Sequence, residues 1–370
     1  MKTTLSVIKA DTGSVGGHNR PSDAMLQKAR EVIDGAIHSG LLSDGRVSFT
    51  GDDIALLMVH AKGTDNPDIH KFAWDAFVET TKIAKSQGLY GAGQDLLKDA
   101  FSGNVRGMGP GSAEIELEER PAEPFILFAA DKCGPGVFNY PLFEGFASPY
   151  HNAGLLLAPD MRTGFTFTIM DVNNVDADRV ITLKVPQDYY DLCTLLRDPN
   201  HYVIESVVEN ATGLTAAVAS TSRLHNISGK YVGKDDPVAI VRSQKQFPST
   251  GEILSPWALA HYTLGDNRGS HHVAVMPVKQ GSIISYFDGP TIVSAAGYCV
   301  HDGKLTESVD LFDQPFWDYV RERASKKTLE LRAQGFYGPA MASMDELEYT
   351  GVVDNLKRLD EKFVVREHKK

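Results

Sequence analysis

Four aspartates stand where predicted strands stop. TTLSVIKA (residues 3–10) reads as a strand and runs into Asp11. RVSFT runs into Gly51-Asp52-Asp53, and the apolar PFILFAA runs into Asp131. In α/β sheets, sites gather at the carboxyl ends of strands. An Asp after a strand is ordinarily a turn residue. The adjacent pair Asp52-Asp53 gains nothing in an ordinary turn, so it points elsewhere. Carboxylates converging in a low-dielectric cleft repel one another. Divalent cations remove that conflict, and oxygen ligands with little sulfur or imidazole favour Mg2+ over zinc.

A second set lies in Gly229-Lys230-Tyr231-Val232-Gly233-Lys234-Asp235-Asp236-Pro237. Tyr231 can donate or accept a proton, Lys234 can form a Schiff base, and Asp235-Asp236 can hold metal. The plain alternative is a charged surface turn punctuated by Gly and Pro. His18 closes the loop DTGSVGGH seven residues beyond Asp11 and could face the same site. Gln94 in YGAGQD is similar, or it simply opens a helix. The loop Gly103–Gly111 could present backbone N–H groups to a phosphate. It lacks the Gly-Lys-Ser/Thr ending of a P-loop. Lys132 and Arg268 are candidate phosphate cations, each a surface charge by default. His271 and His272 alternate across a strand and cannot share one ion.

Elements must position these groups. A helix follows Pro21, with Leu26, Ala29, Val32, Ile33 and Ile37 on one stripe and a stop at Gly40. A second covers about 67–87, with Phe72, Phe77 and Ile83 inward. IALLMVHA reads as a buried strand and AEIELEE as a half-buried one. Further strands are GFTFTIMDV, RVITLKV, YVIESVV, TAAVAST, HHVAVMP and TIVSAAGYCV. PQDYYDLCTLLRD and residues 314–334 read as helices. No Ser/Gly- or Pro-rich linker and no repeat divides the chain, so residues 1–370 read as one α/β catalytic domain.

The formal charge is 37 − 48 = −11. This argues against nucleic acid or an acidic membrane as partner, but not against anionic substrates beside bound metal. No run approaches the ~18 apolar residues of a membrane span, and MKTTLSVIKAD is too polar for a secretory signal. Cys133, Cys193 and Cys299 form neither a disulfide framework nor a zinc pattern, so a reducing cytoplasm is expected.

In order, SVIKADTGSVGGH, FTGDD, YGAGQDLL, AADKCGPGVFN and KYVGKDDPVA resemble the archaeal and deep-branching bacterial fructose-1,6-bisphosphate aldolase/phosphatase family. GDD alone is worthless as a signal; the five in sequence across nearly the whole chain are specific. The resemblance implies an α/β (α+β) four-layer α-β-β-α sandwich with two mixed sheets, assembled as a homo-octamer. It implies one site that condenses dihydroxyacetone phosphate with glyceraldehyde 3-phosphate and then hydrolyses the 1-phosphate of fructose 1,6-bisphosphate. Lys234 would be the Schiff-base lysine, Tyr231 the aldolase proton donor and acceptor, and Asp11 the phosphatase base. Asp11, His18, Asp52, Asp53, Gln94, Asp131, Asp235 and Asp236 would bind several Mg2+ ions. His18, Tyr90, Gly103, Asn104, Lys132, Gln244, Lys245, Arg268, Asp288 and Tyr349 would contact sugar phosphate. Two other readings stay open. One is a Mg2+-dependent sugar bisphosphate phosphatase only, with Lys234 as a phosphate clamp. The other is a non-catalytic metal- and phosphate-binding protein, against which stands the joint presence of base, amine and proton donor.

Overall fold

The computed structural model describes residues 2–96, 109–174, 177–220, 235–265, 271–283, 290–333 and 351–366. The first sheet comprises β1 (Lys2–Asp11), β2 (Asp44–Thr50), β3 (Asp53–His60) and β4 (Gly111–Glu118), in the order β2-β3-β1-β4. Every pair in it is antiparallel.

The second sheet is larger. Its strands are β5 (Glu123–Asp131), β6 (Phe165–Asp171), β7 (Asp178–Lys184), β8 (Tyr202–Glu209), β9 (Thr215–Ala219), β10 (Val238–Arg242), β11 (Tyr262–Gly265), β12 (His271–Val278), β13 (Thr291–His301), β14 (Lys304–Leu305), β15 (Val309–Asp310) and β16 (Val364–Arg366). The order is β11-β12-β13-β5-β10-β9-β8-β6-β7-β16, with β14 and β15 on β13. Here β12 and β13 run parallel. The expectation of two mixed sheets therefore holds for the large sheet alone. In the small one, a direct hairpin joins β2 to β3, and the helical return between β1 and β2 still leaves neighbours antiparallel.

Side-chain parity builds the layers. On β1, Ile8 and Ala10 join one apolar cluster while Leu5 and Val7 join another. The first cluster lies under α1 (Asp23–His38) and α2 (Pro67–Ser86). It takes Met25, Leu26, Ala29 and Ile33 from α1 and Ile69, Ala73, Ala76 and Phe77 from α2. Both helices start where the sequence signals a cap. Ser22 accepts from the Met25 N–H, and Asn66 accepts from Asp68 and Ile69 N–H with Pro67 next in line. The second cluster lies between the sheets, where Leu5, Val7, Leu57 and Ile115 meet Phe125, Leu127, Ile240 and Tyr298. On the far face of the large sheet, Phe128, Ile126 and Val241 pack with Phe146, Trp257 and Trp317. These last come from α3 (Asn139–Phe146), a short 3-10 turn and the helix Pro315–Ala333. Helix, sheet, sheet and helix layers follow, as the resemblance implies.

The chain closes on the edge of the large sheet. β16 pairs with β7, Arg366 bonds Glu205 at 2.6 Å, and Arg179 bonds Asp360 at 2.6 Å. No helix among the described residues is long and apolar enough to cross a membrane.

Candidate active site

The inter-sheet face ends in acid. On β1 the residues facing the other sheet are odd-numbered, Leu5 and Val7, and the next of that parity are Lys9 and Asp11. On β3 they are Leu57 and Val59, and Asp53 shares their parity. On β5 they are Phe125, Leu127 and Ala129, followed by Asp131. Asp11 pairs directly with Asp53 across the antiparallel ladder. The end of β1, the start of β3 and the end of β5 thus meet at one mouth of the sandwich. Asp53 opens a strand rather than closing one, with Gly51-Asp52 as the turn before it. The expectation of strand carboxyl ends fails for Asp53, because in an antiparallel pair one strand's start shares an edge with its neighbour's end.

The contacts are close. The Lys132 ammonium donates to Asp52 Oδ1 at 2.6 Å and to Asp131 Oδ1 at 2.8 Å. His18 Nδ1 lies 3.0 Å from Asp52 Oδ2 and 4.0 Å from Asp11 Oδ2. Lys9 pairs with Asp53. The Asp11 N–H donates to Asp95 Oδ2 at 2.9 Å, and the Gly13 N–H donates to Asp11 Oδ1 at 2.9 Å. The Cys133 N–H donates to Asp236 Oδ1 at 2.8 Å, and the Asp236 N–H returns to the Cys133 carbonyl at 2.8 Å. Asp236 is thereby fastened just beyond Lys132, with Asp235 beside it in sequence.

Burial pushes the Asp11 carboxyl well above the usual range, and Asp52, Asp53 and Asp95 push it further. Burial likewise raises Asp131 well above it, against Lys132 and with Asp52 and Asp236. For Asp52 burial also acts upward, but Lys132 and His18 outweigh it and hold the carboxyl well below that range. The split is the repulsion expected of carboxylates in excess of the lysines that face them.

The residues present fit a hard divalent cation. Ligand atoms of Asp52, Asp53 and Asp131 lie within 4.8 Å of one another, as do those of Asp11, His18 and Asp52. Asp131 Oδ2 is buried with no hydrogen-bond partner among the described residues. Gly51 leaves room beside it: at φ +59°, a Cβ there would stand 1.6 Å from that oxygen. Donors that are oxygen apart from one imidazole suit Mg2+.

Other expected residues fall in three groups. Gln94 opens a short 3-10 turn; a Cβ on Gly91 would stand 3.1 Å from its Oε1 and 3.9 Å from Asp11 Oδ2, so the two flank the same glycine. Tyr90 is 60% exposed and meets the His18 ring edge-on at 4.9 Å. Both belong to this mouth. Gln244 and Lys245 do not. β10 pairs Val238 with Ala129 and Arg242 with Phe125, so the chain beyond Arg242 has left by the end of the sheet opposite Asp131. Within this chain they stand at the end of the sheet opposite the acidic mouth, because β10 runs antiparallel to β5 and carries them away from it. Tyr231, Lys234, Gly103, Asn104, Arg268, Asp288 and Tyr349 lie outside the described residues.

Two residues at the mouth carry no sequence expectation, Lys9 and Asp95. Parity could have found Lys9, two positions before Asp11. Asp95 holds backbone, from Asp11 and from Gly109 (3.3 Å), a role without a motif.

The family model described as fructose-1,6-bisphosphatase matches residues 2–364. The chain is 52% identical over 363 residues to the fructose-1,6-bisphosphate aldolase/phosphatase of Thermus thermophilus, covering 98% of this chain and 100% of that one. It is 46% identical to the protein of that name from Ignicoccus hospitalis, over 98% of this chain and 93% of the relative. It is 44% identical to that of Moorella thermoacetica, over 100% and 96%. With likeness sustained along both chains and a buried acidic mouth at the positions the motifs marked, the protein belongs to the fructose-1,6-bisphosphate aldolase/phosphatase family.

Proposed function

We propose that this chain condenses dihydroxyacetone phosphate with glyceraldehyde 3-phosphate to fructose 1,6-bisphosphate, and hydrolyses the 1-phosphate to give fructose 6-phosphate. The observation that carries it is the buried set Asp11, Asp52, Asp53 and Asp131 with His18 and Lys132, in a chain matched almost end to end. Asp11, His18, Asp52, Asp53, Gln94, Asp131, Asp235 and Asp236 hold Mg2+ in this reading. When bound, Mg2+ supplies positive charge to phosphoryl oxygens and acidifies water.

The chain's own residues do the rest. The Lys234 amine adds to the ketone carbon of dihydroxyacetone phosphate and loses water to form an imine. Tyr231 takes a proton from the adjacent carbon, the enamine attacks the aldehyde of glyceraldehyde 3-phosphate, and Tyr231 returns the proton to the new alkoxide oxygen. Water then releases the ketose and frees Lys234. For hydrolysis, Asp11 takes the proton of the attacking water. Lys132 sits within reach of the mouth, and Tyr90 and His18 line its rim. Gly103, Asn104, Gln244, Lys245, Arg268, Asp288 and Tyr349 complete the sugar-phosphate contacts in this reading, with Gln244 and Lys245 serving a mouth other than that of their own chain. The shared inter-sheet core supports one catalytic unit over residues 1–370. We read it as a cytoplasmic homo-octamer, tested by sedimentation velocity.

The test supplies only the two triose phosphates with Mg2+ and measures fructose 6-phosphate and phosphate. Borohydride with dihydroxyacetone phosphate is expected to trap an adduct on Lys234 and not on Lys230. Lys234→Ala is expected to lose trapping and condensation and keep hydrolysis of fructose 1,6-bisphosphate. Hydrolysis without condensation in the unaltered protein would leave a phosphatase with Lys234 as a clamp. Turnover of neither substrate would leave a binding protein.

A further inference from the structure

Lys9 is a charged residue inside the sandwich. It is 1% exposed and points between the sheets, above Leu5 and Val7 and below Asp11. A lysine stem needs room there, and its two cross-strand neighbours supply it: Ala55 on β3 and Gly111 on β4. The ammonium pairs diagonally with Asp53, whose side chain is 3% exposed. A buried lysine is retained only with a partner. Lys132 offers a contrast. It stands at the end of β5 on a left-handed backbone (φ +58°), bonded to Asp52 and Asp131 at the rim. Its amine can turn from carboxylate to a phosphate oxygen. Lys9 has no such exit, because sheet lies on both sides of it and apolar core below.

We propose that Lys9 is a positioning residue that fixes Asp53 and holds its ammonium at the base of the acidic mouth, so that divalent cations bind there more weakly and exchange. The proposal rests on the Mg2+ reading above. A cation of charge two near a fixed ammonium is repelled even at the moderate effective dielectric of a protein interior. Removing the ammonium takes away the cation that competes with a metal for the Asp53 carboxylate, and leaves the metal-free protein with a buried carboxylate less well compensated.

The experiment is Mg2+ titration by calorimetry, together with thermal melting with and without Mg2+, on the full chain. Lys9→Gln keeps an N–H donor for Asp53 and drops the charge; Lys9→Met drops both. Both are expected to bind Mg2+ at least about tenfold more tightly, and to melt with a larger gap between the Mg2+-loaded and chelated states than the unaltered protein. Lys9→Arg is expected to keep the original affinity. Should Lys9→Met fail to fold, Lys9→Gln decides. Unchanged or weaker Mg2+ binding in Lys9→Gln, or melting temperatures lowered equally with and without Mg2+, would overturn the proposal and leave Lys9 as packing. If the unaltered protein takes up no Mg2+, the metal reading itself falls, and this inference with it.

Discussion

Gly51 is the residue at the mouth with the least latitude. Its left-handed backbone and the Asp131 carboxylate against its α-carbon both exclude a side chain. Gly51→Ala is expected to displace either the hairpin or Asp131, and misplacement by about 1 Å costs on the order of a hundredfold in rate. Phosphate release from fructose 1,6-bisphosphate measures it; a rate within threefold of the original would show that Asp131 is not needed where it stands. Asp52→Asn keeps shape and removes charge, so Lys132 keeps Asp131 and His18 the more distant Asp11 as ion-paired neighbours. Mg2+ affinity is expected to drop at least ~100-fold, read by calorimetry. At this scale the sequence was legible where residue type announced chemistry. Asp52-Asp53 and the GKDD motif stood out because like charges side by side need a reason. Lys9 did not, since a lysine is read as a surface charge by default, even where alternation puts it on the face of Leu5 and Val7. Its burial follows only once a second sheet is known to cover that face. Asp95 was hidden because it serves backbone amides, which leave no mark on composition.

Elements were legible in proportion to their length and period. The two long helices after Pro21 and Asn66 and the buried strands of the core emerge from spacing alone. β10 escaped notice because five residues, VAIVR, show no period, yet it is the strand that carries the chain from Asp236 to Gln244. α3 escaped because NYPLFEGF places a proline inside its first turn. The far end of the small sheet holds a relay with consequences for acid stability. The Lys62 N–H donates to His60 Nδ1 at 3.2 Å, so the ring's other nitrogen donates to Ser6 Oγ at 2.8 Å, and Ser6 donates to Glu114. Burial lowers His60 to about 4, and burial also lowers His261, packed on Trp257, to about 4. Both rings stay neutral in the fold, while in the unfolded chain they charge near 6.5. The unfolded chain therefore binds protons first. Stability from these rings is complete above about pH 6.5 and is lost as pH falls toward 4, by up to ~1.4 kcal/mol per pH unit for each histidine. Urea midpoints between pH 8 and 5 should decline accordingly, and less steeply in His60→Gln/His261→Gln. A parallel decline in the double variant would assign the loss to other groups.

For the whole molecule, the strand that ends at Asp131 begins at Glu123, and the two ends do different work. Glu123 is buried between Arg120 and Arg242, bonded to each through both oxygens, with both guanidinium groups 4.8 Å from the Phe247 ring. Glu123→Gln leaves a buried Arg242 without its anion, expected to cost about 3–5 kcal/mol of stability. The kcat of each folded molecule should be unchanged, because the acidic mouth lies at the other end of β5, while KM should rise if Gln244, whose carbonyl Arg120 holds, contacts sugar phosphate as proposed. Equal loss of kcat and stability would mean that this end of the sheet reports to the mouth. The order of layers was legible through family resemblance; which residues would share the mouth was not, since Gln244 and Lys245 sit close to Asp236 in sequence and at the opposite end of the sheet in space. The three-residue β16 has a consequence of another kind. It covers the outer rim of β7, and it is short and ends in an arginine held by Glu205 and Asp178. A chain cut after Asp360 would uncover Asp178, Arg179 and Val180, the three residues of β7 that β16 pairs with, and lengthen the open edge of unpaired amides and carbonyls. Such a chain should scatter light and precipitate on warming while its acidic mouth, strands away, is intact: a loss of solubility with no loss of chemistry.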